Sequence, residues 1–499
     1  MENIVDYTKV SSTADEQKLN KLKALIDAGI EPYPHNYKKD INSKKLKETY
    51  DYLQAGEKLE DKVYKIAGRL MLRRDMGKAM FLDVYDENGK IQIYLSKPEL
   101  SETDQKLLPL LDIGDFIGIE GYVFRTHKGE LSLHCKSVKL LSKSIANLPE
   151  KFHGLTDTEL KYRQRFIDLT MDLETRENFK KRSLIISTIR QFLDEKGFLE
   201  VETPILQPIY GGASAEPFTT HHNALDMTLY LRISVETYLK RLIVGGYEKV
   251  YEIGRNFRNE GIDTTHNPEF TMIEWYEAYS DYNDQMKNIE ELLEIIVKKV
   301  NNGSTVIKYK DMEVDFKAPF KRLSVYDGLR EYAKIDPETI TKNDLIKEIR
   351  KYGEEVEEKK SKGELLLQLF EITCEQHLIQ PTFVIDYPLE SSPLTKTHRK
   401  NSELVERFEL FAGCVELANS YSELNDPIDQ YNRLKKQEEN RGFDAEAMPM
   451  DENFVHALEI GMPPLGGVGI GIDRLVMFMT STPNIKDVLF FPTLKKINK

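Results

Sequence analysis

The sequence predicts an α+β protein with an N-terminal five-stranded β-barrel and a larger domain in which helices flank a mainly antiparallel sheet. The chain has 499 residues, more than one ordinary domain holds, so two or three domains are expected. Short segments rich in β-forming residues are concentrated in residues 63–141. Residues 227–279 alternate between apolar and polar segments without a βαβ period, and neither GxGxxG nor GxxxxGKS/T occurs.

The N-terminal extension, residues 1–60, is predicted to be helical. Residues 15–28 place Leu19, Leu22, Leu25 and Ile26 on one face, which is the spacing of an amphipathic helix. Gly29 is the predicted C′ residue, because glycine readily adopts the left-handed conformation that ends helices.

The barrel is predicted over residues 61–143. Five strand-like segments read VYKIAGRLML, KAMFLDVYD, KIQIYL, IGDFIGIEGYVF and ELSLHCKSVKLL. Asn88-Gly89 is the predicted hairpin turn between the second and third. Five short strands at this spacing favour an OB-fold, and the pattern alone fits an SH3-like barrel as well.

A polar connector with Pro149 and Gly154 is predicted over residues 144–165, and a second domain over residues 166–499. This domain begins with an amphipathic helix over residues 174–196, which Gly197 ends, and the strand FLEVETPIL follows. A further helix is predicted over residues 284–300. Residues at about 320–377 are helix-rich and highly charged, and we expect a helical insertion there.

Net charge narrows the classes of partner. It is −13, from 70 basic and 83 acidic residues, which argues mildly against a nucleic-acid binder. Contact with RNA would then depend on basic patches such as residues 69–78 and 161–165, each of which is equally compatible with a solvated face.

Cysteine usage and hydropathy predict a cytoplasmic protein. The three cysteines form neither CxxC nor metal-ligand spacing, which is typical of free thiols in a reducing compartment. We expect no signal peptide, because the N-terminus is polar. No membrane span is expected either, because Asp473 and Arg474 interrupt the apolar stretch near the C-terminus.

Two short segments carry most of the chemical information. Residues 257–270 read FRNEGIDTTHNPEF and predict a strand, a polar loop and a second strand. Residues 469–474 read GIGIDR and predict a glycine-rich strand that turns into a helix. Their candidate functional residues are Arg258, Glu260, His266, Phe270 and Arg474. Arginine supplies fixed positive charge where phosphate charge develops, and a flat side chain can stack on a base.

These segments resemble motifs 2 and 3 of class II aminoacyl-tRNA synthetases. The flanking text HHNALDMTLYLR, NPEFTMIEWYEAY and SYSELNDP is similar to bacterial-type lysyl-tRNA synthetases, and the resemblance covers nearly the whole chain from about Leu19. It implies a ligase that activates lysine with ATP, releases pyrophosphate and transfers lysine to the 3′ end of tRNA(Lys). The other interpretation makes Arg258 and Arg474 surface salt-bridge residues, which suits a lone arginine better than this ordered set.

The resemblance implies an ATP site in which Arg258 and Arg474 are catalytic. Arg258 would bridge the substrate carboxylate and the α-phosphate, and Phe270 would stack on adenine. The other implied contacts are Glu260 to the adenine amino group, His266 and Arg474 to the phosphates, and Glu409 and Glu416 to Mg²⁺, with Glu409 also touching ATP.

It also implies a lysine pocket of Gly212, Glu236, Arg258, Glu274, Tyr276, Asn419, Tyr421 and Glu423. Glu423 and Tyr276 match contacts to the ε-ammonium, and Glu236 with the Gly212 backbone matches the α-amino contact. A buried ammonium needs a carboxylate with hydrogen-bonding neighbours, whereas an aspartate side chain needs cations. Ser420, where many relatives have glycine, and Tyr421, often phenylalanine, depart from the pattern and bear on fine affinity rather than specificity.

In the barrel, Phe81 and Gln92 match positions that read anticodon bases, since splayed bases stack on aromatic rings. Phe81 as part of the barrel core is the alternative. The helix and strand over residues 174–206 resemble motif 1, which implies a homodimer; an ordinary core helix and strand is the alternative there.

Three other functions fit parts of the pattern. An aspartyl- or asparaginyl-tRNA synthetase shares the architecture, but the acidic pocket around Glu423 argues against it. A synthetase-like protein lysyltransferase typically lacks the barrel that this chain has. A non-catalytic RNA-binding protein on the same scaffold would be expected to lose Arg258 or Arg474, and both are present.

Overall fold

The computed structural model describes residues 12–149, 157–357, 359–440 and 448–496. These fall into two compact units: the described residues up to Thr158 with Phe166–Leu173, and Glu159–Arg165 with the described residues from Glu174 onward. Residues 1–11 of the predicted extension and Gly154 of the predicted connector lie outside the described residues. No helix in the described ranges is long and apolar enough to cross a membrane.

The N-terminal unit is a closed five-stranded barrel. Its elements are α1 (Glu16–Asp27), α2 (Ser43–Thr49), β1 (Lys58–Met76), β2 (Ala79–Asp86), β3 (Gly89–Ser96), α3 (Glu102–Leu107), β4 (Phe116–Arg125) and β5 (Leu131–Ser142). The strand order is β1-β2-β3-β5-β4, and β3 pairs with β5 in parallel while the other pairs are antiparallel. This arrangement confirms the predicted OB-fold and not the SH3-like alternative.

Apolar side chains on the inner faces of the strands fill the barrel, and Leu25 of α1 joins the same core. The helix predicted over residues 15–28 is confirmed, and Gly29 follows it with φ +69°. Ile26 was expected on the apolar face but is 40% exposed. It lies about 100° around the helix from Leu25, which takes the central contact.

The hairpin between β2 and β3 lies where the sequence predicts it but is shifted by one residue. Asp86 pairs with Gly89, so the two loop residues are Glu87 and Asn88. The Asp86 carboxylate accepts a hydrogen bond from the Asn88 N–H (2.8 Å) and two more from Ser43 of α2. A side chain that bonds its own backbone two residues on fixes the turn at that position.

Two short helices follow the barrel, α4 (Thr158–Arg163) and α5 (Arg165–Met171). The remaining helices are α6 (Leu173–Glu195), α7 (Glu236–Val244), α8 (Tyr282–Val300), α9 (Val325–Gly328), α10 (Lys342–Arg350), α11 (Lys362–Thr373), α12 (Pro427–Asn440), α13 (Glu452–Ile460), α14 (Ile472–Thr480) and α15 (Ile485–Val488). The strands are β6 (Leu199–Glu200), β7 (Leu206–Gln207), β8 (Thr219–His222), β9 (Met227–Leu231), β10 (Lys249–Phe257), β11 (Glu269–Ala278), β12 (Val306–Tyr309), β13 (Met312–Asp315), β14 (Lys321–Ser324), β15 (Thr382–Pro388), β16 (Leu404–Ala412), β17 (Val415–Ser422) and β18 (Leu465–Gly471).

An eight-stranded sheet organises this second unit, in the order β14-β15-β16-β17-β18-β11-β10-β6. Its central pairs are antiparallel, and only the outermost pairs, β14–β15 and β10–β6, are parallel. Helices α6, α8 and α14 bury their apolar faces in one core with Trp275 and Phe408 of the sheet. The mainly antiparallel α+β architecture is therefore confirmed.

The predicted strand FLEVETPIL is not continuous. Only Leu199–Glu200 and Leu206–Gln207 are strands, in two different sheets. Between them, the N–H and Oγ1 of Thr203 donate to the Glu252 carboxylate at 3.0 and 2.7 Å. Pro204 has no N–H to donate to a ladder, so the chain leaves the sheet here.

The charged segment over residues 320–377 begins inside the sheet, because β14 is its edge strand. Helices α9, α10 and α11 follow, together with a π-helical turn at Leu329–Ala333. These helices have their own apolar cluster, in which Leu345 and Leu369 pack toward Val384 and Val405 of β15 and β16.

Candidate active site

A cavity of about 400 Å³ opens where β17, β18 and β11 lie side by side. Its size suits a small-molecule ligand. Of the residues predicted to bind ATP, lysine or metal, Glu409 alone is absent from the cavity lining. Residues from positions 212 to 474 thus converge on one site.

The two predicted motifs meet through strand pairing. Asn256 of β10 pairs with Phe270 of β11, and the Arg258 N–H donates to the Pro268 carbonyl at 2.9 Å, which closes the polar loop. On its other side β11 pairs with β18, so the glycine-rich strand delivers the first turn of α14 beside Phe270. The Asp473 carboxylate accepts from the Thr271 N–H at 2.7 Å and fixes that turn.

Arg258 is poised for an anion. Its guanidinium carbon lies 5.1 Å from the centre of the Phe270 ring, and its buried Nε has no hydrogen-bond partner among the described residues. Burial lowers the pKa of Arg258, although Glu260 and Glu274 oppose the change. The group remains a cation, and a desolvated guanidinium with a free donor binds carboxylate or phosphate strongly.

Arg474 contacts two other predicted residues. It donates to Glu416 at 2.9 Å and lies 3.1 Å from Nε2 of His266. Because a guanidinium only donates, Nε2 accepts, and Nδ1 donates to Asp263 at 2.8 Å. Partial burial alone would raise the pKa of Asp263, but hydrogen bonds from His266 and Thr265 bring it well below its usual value.

Glu409 lies behind the cavity wall rather than in it. One carboxylate oxygen accepts from Arg407 at 2.5 Å and the other from Tyr387 at 2.9 Å. Arg407 also donates to Asn419 at 3.2 Å and to Ser392 at 2.8 Å. Arg407 itself lines the cavity, so it links the predicted metal carboxylate to the predicted lysine-binding amide.

The surroundings of Glu409 have an excess of negative charge. Burial raises the pKa of Glu409, and the nearby Glu416 adds to the rise while Arg407 opposes it. Burial also raises the pKa of Glu375 to about 8, with contributions from Glu371, Glu409 and Glu416. No group of three or more residues arranged to hold a metal occurs in the described ranges. Mg²⁺ commonly binds through one or two carboxylates plus substrate phosphates, so this excess fits a phosphate-bound ion.

The opposite end of the cavity is acidic and buried. Glu274 accepts from Tyr276 at 2.9 Å and from Ser234 at 3.0 Å, and Tyr421 donates to Glu236 at 2.6 Å. Burial, followed by the nearby Glu236, raises the pKa of Glu274 to about 7. Burial also raises the pKa of Glu423, and its Oε1 has no hydrogen-bond partner within the described part of the chain. These groups are desolvated acceptors in need of a cation.

Two glycines leave space for these acidic groups. A Cβ at Gly467 would overlap Oε1 of Glu423 and the Tyr276 ring. Gly212 has φ +82°, and a Cβ there would lie 2.8 Å from Oγ of Ser234 and 3.0 Å from Cβ of Glu236. Glycine at position 212 therefore lets the backbone lie against Ser234 and Glu236 in a conformation that residues with a side chain rarely adopt.

Ser420 and Tyr421, the two departures from the family pattern, differ in whether their side chains reach the cavity. Ser420 is fully buried and absent from the cavity lining, whereas its neighbours Asn419 and Tyr421 line it. Strand alternation explains this, because successive side chains of β17 point to opposite faces.

On the barrel, Phe81 and Gln92 lie on the outer face, away from the apolar core. Phe81 is half-buried, with its ring 5.2 Å from that of Tyr94 and 5.9 Å from the guanidinium carbon of Arg74. Oε1 of Gln92 accepts from Ser132 at 3.1 Å. The described residues thus provide an aromatic face flanked by amide and cationic groups, and core burial of Phe81 is not observed.

Comparison with known proteins agrees with this arrangement. A family described as "tRNA synthetases class II (D, K and N)" matches residues 157–495, and "OB-fold nucleic acid binding domain" matches residues 64–141. A lysine–tRNA ligase of Clostridium novyi (strain NT) is 52% identical over 487 residues, 96% of this chain and 94% of the relative. The lysine–tRNA ligases of Syntrophomonas wolfei, 52% identical over 96% of both chains, and of Clostridium botulinum (strain Langeland), 49% identical over 99% of this chain and 98% of the relative, are also similar.

The chain belongs to the lysine–tRNA ligase family of class II aminoacyl-tRNA synthetases. The resemblance read from motifs 2 and 3 is thereby confirmed. Among the competing interpretations, an aspartyl or asparaginyl enzyme shares the broader class, but the relatives named above are all lysine–tRNA ligases.

Sequence reasoning missed four charged residues in this synthetase site. Arg407 stands two positions before Glu409 in a strand, so both point to one face, and a charge in an otherwise apolar strand was the available signal. Asp473 and Arg182, which pair at 2.6 Å, hold the motif 3 turn against β11. Lys240 is fully buried and pairs with Glu236 and Glu423; its spacing from Glu236 is the usual one for an exposed helix pair.

Proposed function

We propose that the chain activates lysine with ATP, releasing pyrophosphate, and then transfers the lysyl group to the 3′ end of tRNA(Lys). The observation that carries the proposal is one cavity with two chemically opposite ends. One end has buried carboxylates, and the other has Arg258 and Arg474 beside an aromatic ring. Lysine has two ammonium groups to match the first end, and its carboxylate can meet ATP at the second.

At the acidic end, Glu423 and Tyr276 bind the ε-ammonium, and Glu236 with the Gly212 backbone binds the α-ammonium. Support comes from the unpartnered Oε1 of Glu423 and from the close approach of Gly212 to Glu236. Glu274 and Tyr421 complete the set through their hydrogen bonds to Tyr276 and Glu236. Asn419 and Arg258 bind the substrate carboxylate.

At the other end, the chain positions ATP and neutralises charge instead of supplying a nucleophile. Arg258 bridges the attacking carboxylate and the α-phosphate, where its free donor stabilises the charge that develops during attack. Phe270 stacks on adenine and Glu260 accepts from its amino group. His266 and Arg474 hold the phosphates, and the Asp263 contact keeps Nδ1 of His266 protonated.

Glu409 and Glu416 would hold Mg²⁺ together with ATP phosphate oxygens, and the metal would supply neutralisation of phosphate charge. The negative charge of Glu416 contributes to the raised pKa of Glu409, and this local excess of negative charge supports a cation at these carboxylates. Arg407 orients Glu409 through its 2.5 Å contact.

The barrel would bind the anticodon, with Phe81 stacking on a base and Gln92 contacting a base edge. The half-buried aromatic face of Phe81 and Tyr94 supports this, since single-stranded bases stack on such surfaces. The family's tRNA substrate thus has a docking surface even though the whole chain is acidic.

We further propose a homodimer formed through the motif 1 region. Leu184, Leu199, Ile205 and Leu206 are each 39–47% exposed, and apolar side chains clustered along one stretch are typical of an interface. Sedimentation at micromolar concentration tests this proposal, and a mass equal to one chain would contradict it. A cytoplasmic location follows from the tRNA substrate and the free thiols of Cys135, Cys374 and Cys414.

Lysine-dependent exchange of pyrophosphate into ATP tests the activation step. The purified chain with ATP and magnesium should support exchange with lysine, and not with aspartate or asparagine. Arg258→Ala should lower the exchange rate by about a hundredfold or more, because one donor to the developing charge is lost. Near-normal exchange in a folded Arg258→Ala protein would remove Arg258 from the mechanism.

A further inference from the structure

A buried cation lies behind the acidic end of the cavity. Lys240 of α7 is fully buried, and its ammonium lies 2.5 Å from Oε1 of Glu236 and forms a second ion pair with Oε2 of Glu423. Those carboxylates are the proposed acceptors of the two substrate ammonium groups. Lys240 therefore contacts both the proposed α-ammonium acceptor, Glu236, and the proposed ε-ammonium acceptor, Glu423.

We infer that Lys240 is a positioning and specificity-determining residue, whose ammonium pairs with the carboxylates of Glu236 and Glu423 and holds them so that the pocket fits a substrate with two ammonium groups. The inference rests on the proposed roles of Glu236 and Glu423. It adds to them a residue that does not contact the substrate.

Charge balance is the first argument. The pocket contains the carboxylates of Glu236, Glu274 and Glu423, and Lys240 is the ammonium that faces them among the described residues. When Glu274 is ionised, above its pKa of about 7, three carboxylates against one ammonium leave two negative charges, which is the number of ammonium groups in lysine. Without Lys240 the loaded pocket would retain an uncompensated buried charge, and such charges are costly.

Geometry is the second argument. Glu236 is one turn before Lys240 on α7, whereas Glu423 follows β17, so the ammonium ties a helix to the sheet. The rings of Tyr276, Tyr421 and Phe454 surround the ammonium with centroids 5.7–6.0 Å away. One oxygen of each glutamate is engaged by Lys240, which leaves Oε1 of Glu423 for a ligand.

The protonation state of the pocket follows from the groups that face Lys240. These are Glu236 on its own helix, Glu274 and Tyr276 on β11, and Tyr421 and Glu423 on or just after β17. Burial alone would lower the pKa of Lys240, but Glu236 and Glu423 outweigh it and raise the pKa, so the ammonium stays charged. Burial raises the pKa of Glu423, and Lys240 limits that rise.

The test compares Lys240→Met with wild type in lysine-dependent pyrophosphate exchange, from about pH 6 to about pH 9. Loss of the cation should raise the pKa of Glu423 further, because Lys240 limits that rise, so KM for lysine should increase at least about tenfold near pH 7. The ratio of variant to wild-type KM should narrow at higher pH, where the carboxylates ionise again. KM for ATP should change less than about twofold, because the ATP groups lie at the other end of the cavity.

Two further variants separate positioning from folding. Lys240→Arg retains a buried cation, so the midpoint of its pH profile should stay within about half a unit of wild type even if the larger side chain raises KM. Lys249→Met removes another lysine of this domain, paired with Glu277 at 2.8 Å outside the pocket, and should leave the lysine KM unchanged. If Lys240→Met does not fold, Lys240→Arg still tests the inference. An upward shift in the midpoint of the pH profile of Lys240→Arg would overturn it.

A purely structural Lys240 predicts a different result. Lys240→Met would then melt at a lower temperature, with an unchanged lysine KM at every pH in the folded range, and this would overturn the inference. Failure of the proposed lysine-binding roles is distinguishable, because Glu423→Gln would then have normal lysine affinity while wild-type exchange still required lysine.

Discussion

At the scale of single residues, the proposed selectivity for lysine rests on carboxylates that are desolvated before the substrate arrives. Glu423 is 1% exposed, and its Oε1 lacks a hydrogen-bond partner among the described residues. The carboxylate loses its hydration when the chain folds and not when the substrate binds. An ammonium that reaches Glu423 therefore gains charge attraction that is little offset by desolvation of the carboxylate. A neutral or acidic side chain in the same position would leave Oε1 of that carboxylate buried without a donor, because Lys240 pairs with Oε2.

Glu423→Gln should therefore weaken lysine binding by about 3–5 kcal/mol, the usual cost of removing one partner of a buried charged pair. ATP affinity should be nearly unchanged. Equilibrium titration of each ligand measures both effects. Glu291→Gln is the matched control, since Glu291 pairs with Lys196 at 2.8 Å on the exposed surface and should bind lysine normally. Lysine affinity within a factor of a few of wild type would show that Glu423 does not recognise the ammonium.

Glu274 should make lysine binding sensitive to pH. Burial and the nearby Glu236 raise the pKa of Glu274 to about 7, so the group takes up a proton as the pH falls through neutrality. A protonated carboxyl cannot neutralise an ammonium, so lysine affinity should fall between about pH 8 and about pH 6. Glu274→Gln should flatten that dependence. A wild-type affinity that is constant over this range would mean that Glu274 is ionised throughout.

At the scale of elements, the glycine-rich strand β18 determines how closely substrate groups approach the sheet. It lies between β17 and β11, which carry most of the acidic pocket. Gly467 faces Glu423 and Tyr276, whereas a Cβ at Gly469 would make ordinary contacts, at 3.4 Å with Cε of Met272, 3.8 Å with Cγ of Glu274 and 4.0 Å with the Asn419 carbonyl oxygen. A methyl group therefore does not fit at Gly467, whereas it would make only ordinary contacts at Gly469.

Gly467→Ala should abolish lysine activation, because the added Cβ would displace Glu423 and Tyr276. Gly469→Ala should cost much less, since a flexible methionine can shift by a few tenths of an ångström. Pyrophosphate exchange and the melting temperature, measured on both variants, separate lost recognition from lost folding. Equal activity of the two variants would contradict the packing described for Gly467.

Prediction from sequence succeeded where local pattern and structure coincide. Motif 2 and motif 3 fold as predicted because strand, loop and helix chemistry are continuous in residues 257–270 and 469–474. It failed at FLEVETPIL, because the carboxylate that captures Thr203 comes from β10 and is invisible locally. The burial of Lys240 was equally hidden, since contacts from β17 and α13 decide it and an i, i+4 Glu–Lys pair is usually exposed.

At the scale of the whole molecule, the two compact units separate anticodon recognition from chemistry. The residues proposed to bind lysine and ATP lie in the second unit, and the aromatic face with Phe81 lies in the first. Composition alone argued mildly against a nucleic-acid partner, because a net charge of −13 averages over both units. Net charge does not detect a small aromatic surface, so it is weak evidence against a nucleic-acid partner.

Phe81→Ala should reduce tRNA charging by about 1–3 kcal/mol, the value of one stacked base, while lysine activation without tRNA stays intact. The deficit should shrink on a tRNA with an altered anticodon, and Gln92→Ala should act similarly but more mildly. Tyr52→Ala is the control, because Tyr52 is a 65% exposed aromatic of the same unit. A lower melting temperature with normal anticodon discrimination would mean that Phe81 only packs.

The central claim is that one cavity selects lysine by charge and activates it at its arginine end. The most direct test is mass spectrometry of the enzyme-bound intermediate, formed from ATP, magnesium and an equimolar mixture of the standard amino acids without tRNA. The structure predicts lysyl-adenylate as the product. Aspartyl- or asparaginyl-adenylate would contradict the claim, and so would a mixture of adenylates without a preference for a cationic side chain.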